Sequence, residues 1–343
     1  MTGTATRPSP GPGPTRPRAR RPLLIAAGAL VAVALVVVAI LVALPGGNHH
    51  PRVSRAANPS SYPEPSSDYA VSCLAVGAAV AGGETDVARF QRNKNQLGPL
   101  TIRRSFDPSL PRSFARSAAA GDQAAGLHSF VSWKPPGGDH AGAAAGKYDR
   151  QIAAWARSVP RTGVFATAWH EPENNMTADQ FVAFERHVYT VVKAANPTIR
   201  FGPVYMAYWW DPSQPSHYVG DPKAWWPGDG YADFAGLDWY GPQPTPMTTS
   251  ASFENWYGTM LPTGIPLYIT EYGQGVRKPG HAADPGRDTA RAQAITTDAA
   301  WIHAHPRIRM WLYWQSTGAQ GDWRLHDPQS QAAWRQVADT GCR

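Results

Sequence analysis

"GVFATAWHEPENNMTADQFVAFERHVYTVVKAANP", residues 163–197, holds a complete strand–loop–helix unit, and its reading decides the fold. A short apolar run, 163–168, delivers Trp169, His170 and Glu171 at its C-terminal end. Pro172 and Asn174-Asn175 then break the extended chain. Thr177 and Gln180 stand at capping-box spacing, apolar residues follow at helical spacing, and Asn196-Pro197 stops the helix.

The same unit recurs along the chain. Apolar runs lie at 73–80, 99–106, 126–133, 163–171, 199–207, 234–241, 266–273 and 309–316. Helical patterns stand between them at 84–97, 111–120, 147–159, 177–197, 288–306 and 329–338. Strands alternating with helices predict a parallel sheet. Eight such units fit an α/β fold of the TIM-barrel, (β/α)8, type, which needs about 250 residues. The competing open sheet usually carries G-x-G-x-x-G after its first strand, and "AVAGGETD" (79–86) does not match it.

Four segments are expected. Residues 1–22 are a basic tail with five arginines and no acid, and residues 23–44 are 22 uncharged, mostly apolar residues. About 20 apolar residues span a bilayer, and flanking arginines hold the N-terminus in the cytoplasm. A single-pass anchor in the cell membrane follows, with the rest of the chain outside the cell; a cleaved signal peptide is the rival reading. Residues 45–67, rich in Pro, Ser and Gly, read as a flexible tether. Residues 68–343 form the barrel domain. The net charge of +7 belongs to the tail: residues 1–67 hold seven arginines and one acid, leaving 25 basic against 24 acidic side chains for the domain. That balance speaks against a nucleic-acid partner.

The two cysteines, Cys73 and Cys342, bracket the domain. Outside the cell a disulfide is permitted. In a barrel both positions fall on the bottom face, where they can meet; two unrelated thiols are the alternative.

Barrel active sites occupy the C-terminal strand ends. Those ends carry Arg104, Trp133, His170-Glu171, Trp209-Trp210, Asp238-Trp239-Tyr240, Glu271-Tyr272 and Trp314. Glu171 and Glu271, on the fourth and seventh strands, would face each other across the mouth. Cleavage of a glycosidic bond requires such a pair, one carboxyl protonated and one ionised. A zinc helix is excluded at His170-Glu171, because position 174 is Asn and Pro172 interrupts the helix. No metal and no organic cofactor is implied. All 14 tryptophans lie within 133–334; of these, Trp133, Trp209, Trp210, Trp239 and Trp314 at strand ends are candidates for stacking on sugar rings.

"WHEPENN" (169–175), "LDWYG" (237–241), "YITEYG" (268–273) and "WLYWQ" (311–315) resemble the retaining glycoside hydrolases of clan A. The His-Glu pair is most similar to family 26, which includes β-mannanases and related endo-glycanases. The resemblance covers about residues 73–340. It implies Glu171 as acid/base and Glu271 as nucleophile. It further implies His170 at the cleavage point, Tyr240 orienting Glu271, and Trp314 flooring the adjacent subsite. The family's residues after His-Glu are replaced here by "PENN", which leaves mannan, β-glucan and xylan open, and Glu173 is a spare carboxylate. The expected function is a membrane-anchored extracellular β-glycanase acting on a polysaccharide. The alternative is a non-catalytic carbohydrate-binding barrel serving polysaccharide export or cell-wall processing.

Overall fold

A computed structural model describes residues 70, 72–79, 90, 94–161, 163–275, 284–318 and 321–342. The tail, anchor and tether expected over 1–67 lie outside the described residues. The chain divides into two units, 1–53 and 54–343, and every described residue belongs to the second. Among the described residues no helix is long and apolar enough to cross a membrane.

Nine parallel strands form one sheet: β1 (Ala75–Ala79), β2 (Ile102–Phe106), β3 (His128–Trp133), β4 (Val164–Ala168), β5 (Arg200–Phe201), β6 (Val204–Met206), β7 (Ala235–Gly241), β8 (Leu267–Gln274) and β9 (Ile308–Trp314). Their order is β5-β4-β3-β2-β1-β9-β8-β7-β6. The two edge strands, β5 and β6, are halves of the single run expected at 199–207, separated only by Gly202-Pro203. The sheet is therefore curled on itself as a TIM-barrel-like fold with eight staves, the fifth one split. Pro203 lacks the N–H that a continuous ladder needs. Gly202 is required by crowding, since a Cβ there would lie 2.3 Å from the Phe234 carbonyl oxygen. Backbone bonds from Gly202 N to Ala166 O (3.3 Å) and from Gly236 N to Pro203 O (2.8 Å) join the two sides across the break.

Seven α-helices are described: α1 (Ala118–Ala124), α2 (His140–Ala144), α3 (Asp149–Ser158), α4 (Ala178–Ala195), α5 (Ala251–Met260), α6 (Pro285–Ala304) and α7 (Pro328–Asp339). The capping box of Thr177 and Gln180 is formed at the start of α4. One helical expectation shifts, the one at 84–97 lies mostly outside the described residues, and α2 and α5 stand where the sequence showed no helical pattern. The pattern at 111–120 folds as a 3-10 turn, Phe114–Arg116, followed by α1. The helix α5, with Ser250 as its N-cap, was not expected from the sequence. It contains Asn255 and Gly258, both poor helix formers, and is held by burial of Phe253, Trp256 and Met260.

The core has two parts. One fills the lower barrel with Ala75, Ile102, Phe130, Phe165, Val204, Phe234, Tyr268, Met310 and Leu312. The other lies between the sheet and its helices. Alternation along a strand places residues i and i+2 on one face. Ile102 on the inner face therefore leads upward to Arg104 and Phe106, Phe130 leads to Ser132, and Gly236 leads to Asp238 and Tyr240. The barrel interior changes from apolar to polar as it rises. Arg103, on the opposite parity, faces outward and is bound to Asp122 of α1.

Cys73 and Cys342 form the expected disulfide, with Cα atoms 5.4 Å apart and the two residues 269 positions apart in sequence. The bond from Cys342 N to Leu74 O (2.8 Å) fixes the C-terminus beside the start of β1.

Candidate active site

The polar layer at the top of the barrel is organised by Arg104. Its Nη1 lies 2.6 Å from Asp238 Oδ1 and 3.0 Å from Glu271 Oε1, and its Nε donates to Ser132 Oγ at 3.0 Å. Thr270 Oγ1 donates to Asp238 Oδ1 at 2.6 Å, and the Tyr240 hydroxyl donates to Glu271 Oε2. The register between β7 and β8 slips here: Leu237 pairs with Ile269, but Asp238 pairs with Glu271. Thr270 is the extra residue of a β-bulge, and the bulge lets both Thr270 and Glu271 address Asp238.

Glu171 arrives from the loop after β4. Trp169 and Glu171 both have left-handed backbones, φ 84° and φ 57°, a conformation that costs a non-glycine residue of order 1–3 kcal/mol. Surrounding bonds hold it. Trp169 N donates to Trp133 O (2.8 Å) and Glu171 N to Val204 O (2.9 Å), so the kinked chain is stitched to β3 on one side and β6 on the other. Glu173 is a clamp: its Oε1 accepts from Met206 N (3.0 Å) and Trp210 Nε1 (2.8 Å). One oxygen from each of Glu171, Asp238 and Glu271 lies within 4.8 Å of the other two. Such a trio offers oxygens to a cation, but here Arg104 already supplies positive charge to two of its members.

Burial, reinforced by Asp238, pushes Glu171 up to about 7. Burial and the neighbouring Asp238 also push Glu271 well above the usual carboxylate range, against the pull of Arg104 and Tyr240. The three acids lie close enough to influence one another, and their hydrogen-bond donors differ. Glu271 accepts from Arg104 and Tyr240, and Asp238 accepts from Arg104 and Thr270. The Glu171 carboxyl accepts from no described residue. Donors favour the ionised form, so Arg104 and Tyr240 counter the burial of Glu271, and no hydrogen-bond donor among the described residues does the same for Glu171. Burial likewise pushes Glu173 up to about 8.

An aromatic wall surrounds the carboxyls. Phe106 meets His170 edge-on at 5.4 Å and Trp314 at 5.9 Å, while Tyr240 meets Trp314 at 6.0 Å and Trp323 at 5.1 Å. Burial, aided by the positive charge of Arg104 and Lys134, holds His170 well below its ordinary range, so the ring is neutral. Its Nδ1 is buried without a partner.

The structure thus brings together Glu171, Glu271, His170, Tyr240, Trp314 and Arg104. Arg104 is fully buried and grips carboxylates, so it supports the acids from below and is not open to the ligand contact expected of it. Four further expected ligand contacts are corrected. Trp133 is packed on Trp155 (6.4 Å), and Trp239 is stacked on Tyr272 (5.6 Å). Tyr272 donates to Asp298 (2.7 Å), and Trp210 is spent on Glu173. All four are buried. Trp133, Trp239 and Tyr272 immediately follow the inward residues Ser132, Asp238 and Glu271, and parity turns them into the helix layer. Trp209 is partly exposed, edge-on to His217 at 5.9 Å, outside the aromatic wall.

Sequence reasoning assigned no role to Asp238, Lys134, Phe106, Ser132, Thr270 or Trp323. Asp238 and Phe106 were recoverable, since each lies two residues from an assigned inward residue. The bulge at Thr270 and the position of Lys134 carry no sequence signal.

No protein-family model matches the chain, and no curated protein matches its sequence. Solved structures do. GH26C from a Muricauda species superposes with a TM-score of 0.53 at 14% identity, over 79% of this chain and 86% of that one. A Cellulomonas fimi endo-beta-1,4-mannanase gives 0.54 at 15%, over 79% and 71%. A Xanthomonas axonopodis endo-beta-1,4-glucanase gives 0.53 at 11%, over 77% and 99%. At these identities the likeness establishes the shared fold. The resemblance to clan A glycoside hydrolases read from short motifs thus extends to the architecture.

Proposed function

We propose that this protein is a retaining glycoside hydrolase, an endo-acting β-glycanase held at the outer face of the cell membrane by residues 23–44. The observation that carries the reading is the convergence of the Glu171 and Glu271 carboxyls, with oxygens within 4.8 Å, beside the Arg104–Asp238 pair. A nucleophile and an acid/base must flank one glycosidic bond closely, whereas an inverting pair stands farther apart to admit a water.

In the first step the Glu271 carboxylate attacks the anomeric carbon. The C–O bond breaks, its electron pair leaves on the glycosidic oxygen, and Glu171 delivers its proton there. In the second step Glu171 takes a proton from water as that water displaces Glu271 from the sugar. Arg104 and Tyr240 donate to Glu271, aim it and oppose the effect of its burial; His170 and Trp314 line the cleft where the ring would lie. Structural neighbours that are a β-1,4-mannanase and a β-1,4-glucanase favour a β-linked substrate. The uncharged segment 23–44 behind an arginine-rich tail supports the anchor.

The test is incubation with β-mannan, β-glucan and xylan, scoring new reducing ends and the anomeric configuration of the first product. Retention on at least one polymer, together with loss of turnover but not of binding in Glu271→Ala, is expected. An active Glu271→Ala variant ends the assignment. Binding without any cleavage points to a carbohydrate-binding barrel instead.

A further inference from the structure

Lys134 follows Trp133 at the top of β3 and is half-buried. Its Nζ lies 5.2 Å from the centre of the Trp169 ring. The Trp169-to-Trp133 backbone bond joins the two strand ends and so sets Lys134 against Trp169, two residues before Glu171 in the chain. No carboxylate of a described residue comes within the 4.0 Å of an ion pair with Lys134, and none accepts a hydrogen bond from it. Arg104, the other cation of the site, is committed to Asp238 and Glu271. Burial lowers the proton affinity of Lys134, and Glu171 is the foremost group pulling it back up.

We propose that Lys134 is a positioning residue for the proton-transfer step: its ammonium, unpaired in the resting site, pairs with the carboxylate that Glu171 becomes on protonating the leaving oxygen. The proposal rests on the reading of Glu171 as the acid. The balance is simple. The proton moves from the Glu171 carboxyl to the glycosidic oxygen, that oxygen keeps the bonding pair of the broken C–O bond, and the negative charge appears on Glu171. A neutral Glu171 gains little from the cation and an anionic one gains much, so the interaction grows along the reaction. The groups facing Glu171 are Arg104 on β2, Lys134 after β3, Asp238 and Tyr240 on β7, Glu271 on β8, and His170 and Glu173 on its own loop. Arg104 and Lys134 are the cations in that set, and Arg104 is already bound to acids.

The experiment follows the 13C carboxyl resonance of Glu171, assigned with Glu171→Gln, against pH in the full chain. Wild type is compared with Lys134→Met and Lys134→Arg. The Glu171 midpoint should rise by about one pH unit in Lys134→Met and return towards wild type in Lys134→Arg. On the polymer hydrolysed in the panel, Lys134→Met should lower kcat roughly tenfold at pH 6, with KM nearly unchanged and the alkaline limb moved upward. An unmoved midpoint in a folded Lys134→Met protein sinks this proposal alone. So does a raised KM with kcat retained, which would mean that Lys134 holds the sugar directly. If Glu171→Gln keeps the alkaline limb, the acid assignment goes first and takes the proposal with it.

Discussion

Glu185 offers a sharp test of the buried electrostatics. It lies on α4 at 0% exposure, and neither carboxyl oxygen has a hydrogen-bond partner. Burial alone pushes its pKa well above the ordinary 4.5. The folded state therefore keeps the proton, while the unfolded state releases it above about 4.5. The sign follows: this group costs nothing below that pH and destabilises progressively as pH rises, until its folded pKa is reached. At pH 7 the unfolded carboxyl is roughly 2.5 pH units past its midpoint. At 1.36 kcal/mol per unit this sets a ceiling of about 3 kcal/mol on the cost at pH 7. Glu185→Gln is nearly isosteric and cannot ionise. Its stability relative to wild type should be near zero at pH 4 and more favourable at pH 7, by up to about 3 kcal/mol. Urea unfolding of both proteins at several pH values reads this difference directly, because all other titrations are shared. A difference that stays flat from pH 4 to pH 7 refutes the reasoning: the carboxyl would then have a partner when ionised.

Three further outcomes are expected. With Glu171 at about 7 and required in its protonated form, kcat/KM should fall as pH rises through about 7, and Glu171→Gln should lose that limb along with most activity on unactivated substrate. Tyr240→Phe keeps the ring against Trp314 and Trp323 but removes a donor to Glu271; a hydrogen bond to a charged group is worth roughly 1.5–3 kcal/mol, so kcat should fall about 10- to 100-fold while KM stays near wild type. Reduction of Cys73–Cys342, or Cys342→Ala, should lower the unfolding midpoint, with a limit of about 5 kcal/mol set by the entropy of so long a loop; an unchanged melt under strong reductant would show that the bridge is not closed in solution.

Much was legible in the chain. Eight apolar runs separated by helical patterns specify parallel staves, because period-2 and period-3.6 hydrophobicity are local properties that survive any arrangement in space. The capping box at Thr177 and Gln180 and a glutamate at the end of each of two staves could be read in the same local way, whereas the cysteine pairing followed only once a barrel was assumed. The short motifs around Glu171 and Glu271 carried the likeness to glycoside hydrolases, and the fold agrees. The split of the fifth stave at Gly202-Pro203 was not read from the single run at 199–207, and its need for glycine comes from the Phe234 carbonyl, distant in the chain. Four aromatics assigned to the cleft turned out to be core because side-chain direction depends on register, and a strand end defined by composition is uncertain by one residue. One residue of error reverses the face.

By itself the sequence determined which segments pair and which residues stand at the rim. The tertiary structure alone decided what those residues do there. It set Arg104 between Asp238 and Glu271, 134 and 167 positions onward, buried Glu171 without a hydrogen-bond donor among the described residues, and left Lys134 without an acid of its own. The physical reason is range. Periodicity acts between neighbours in the chain, whereas charge, burial and hydrogen bonding act between neighbours in space, and those exist only once the barrel has closed.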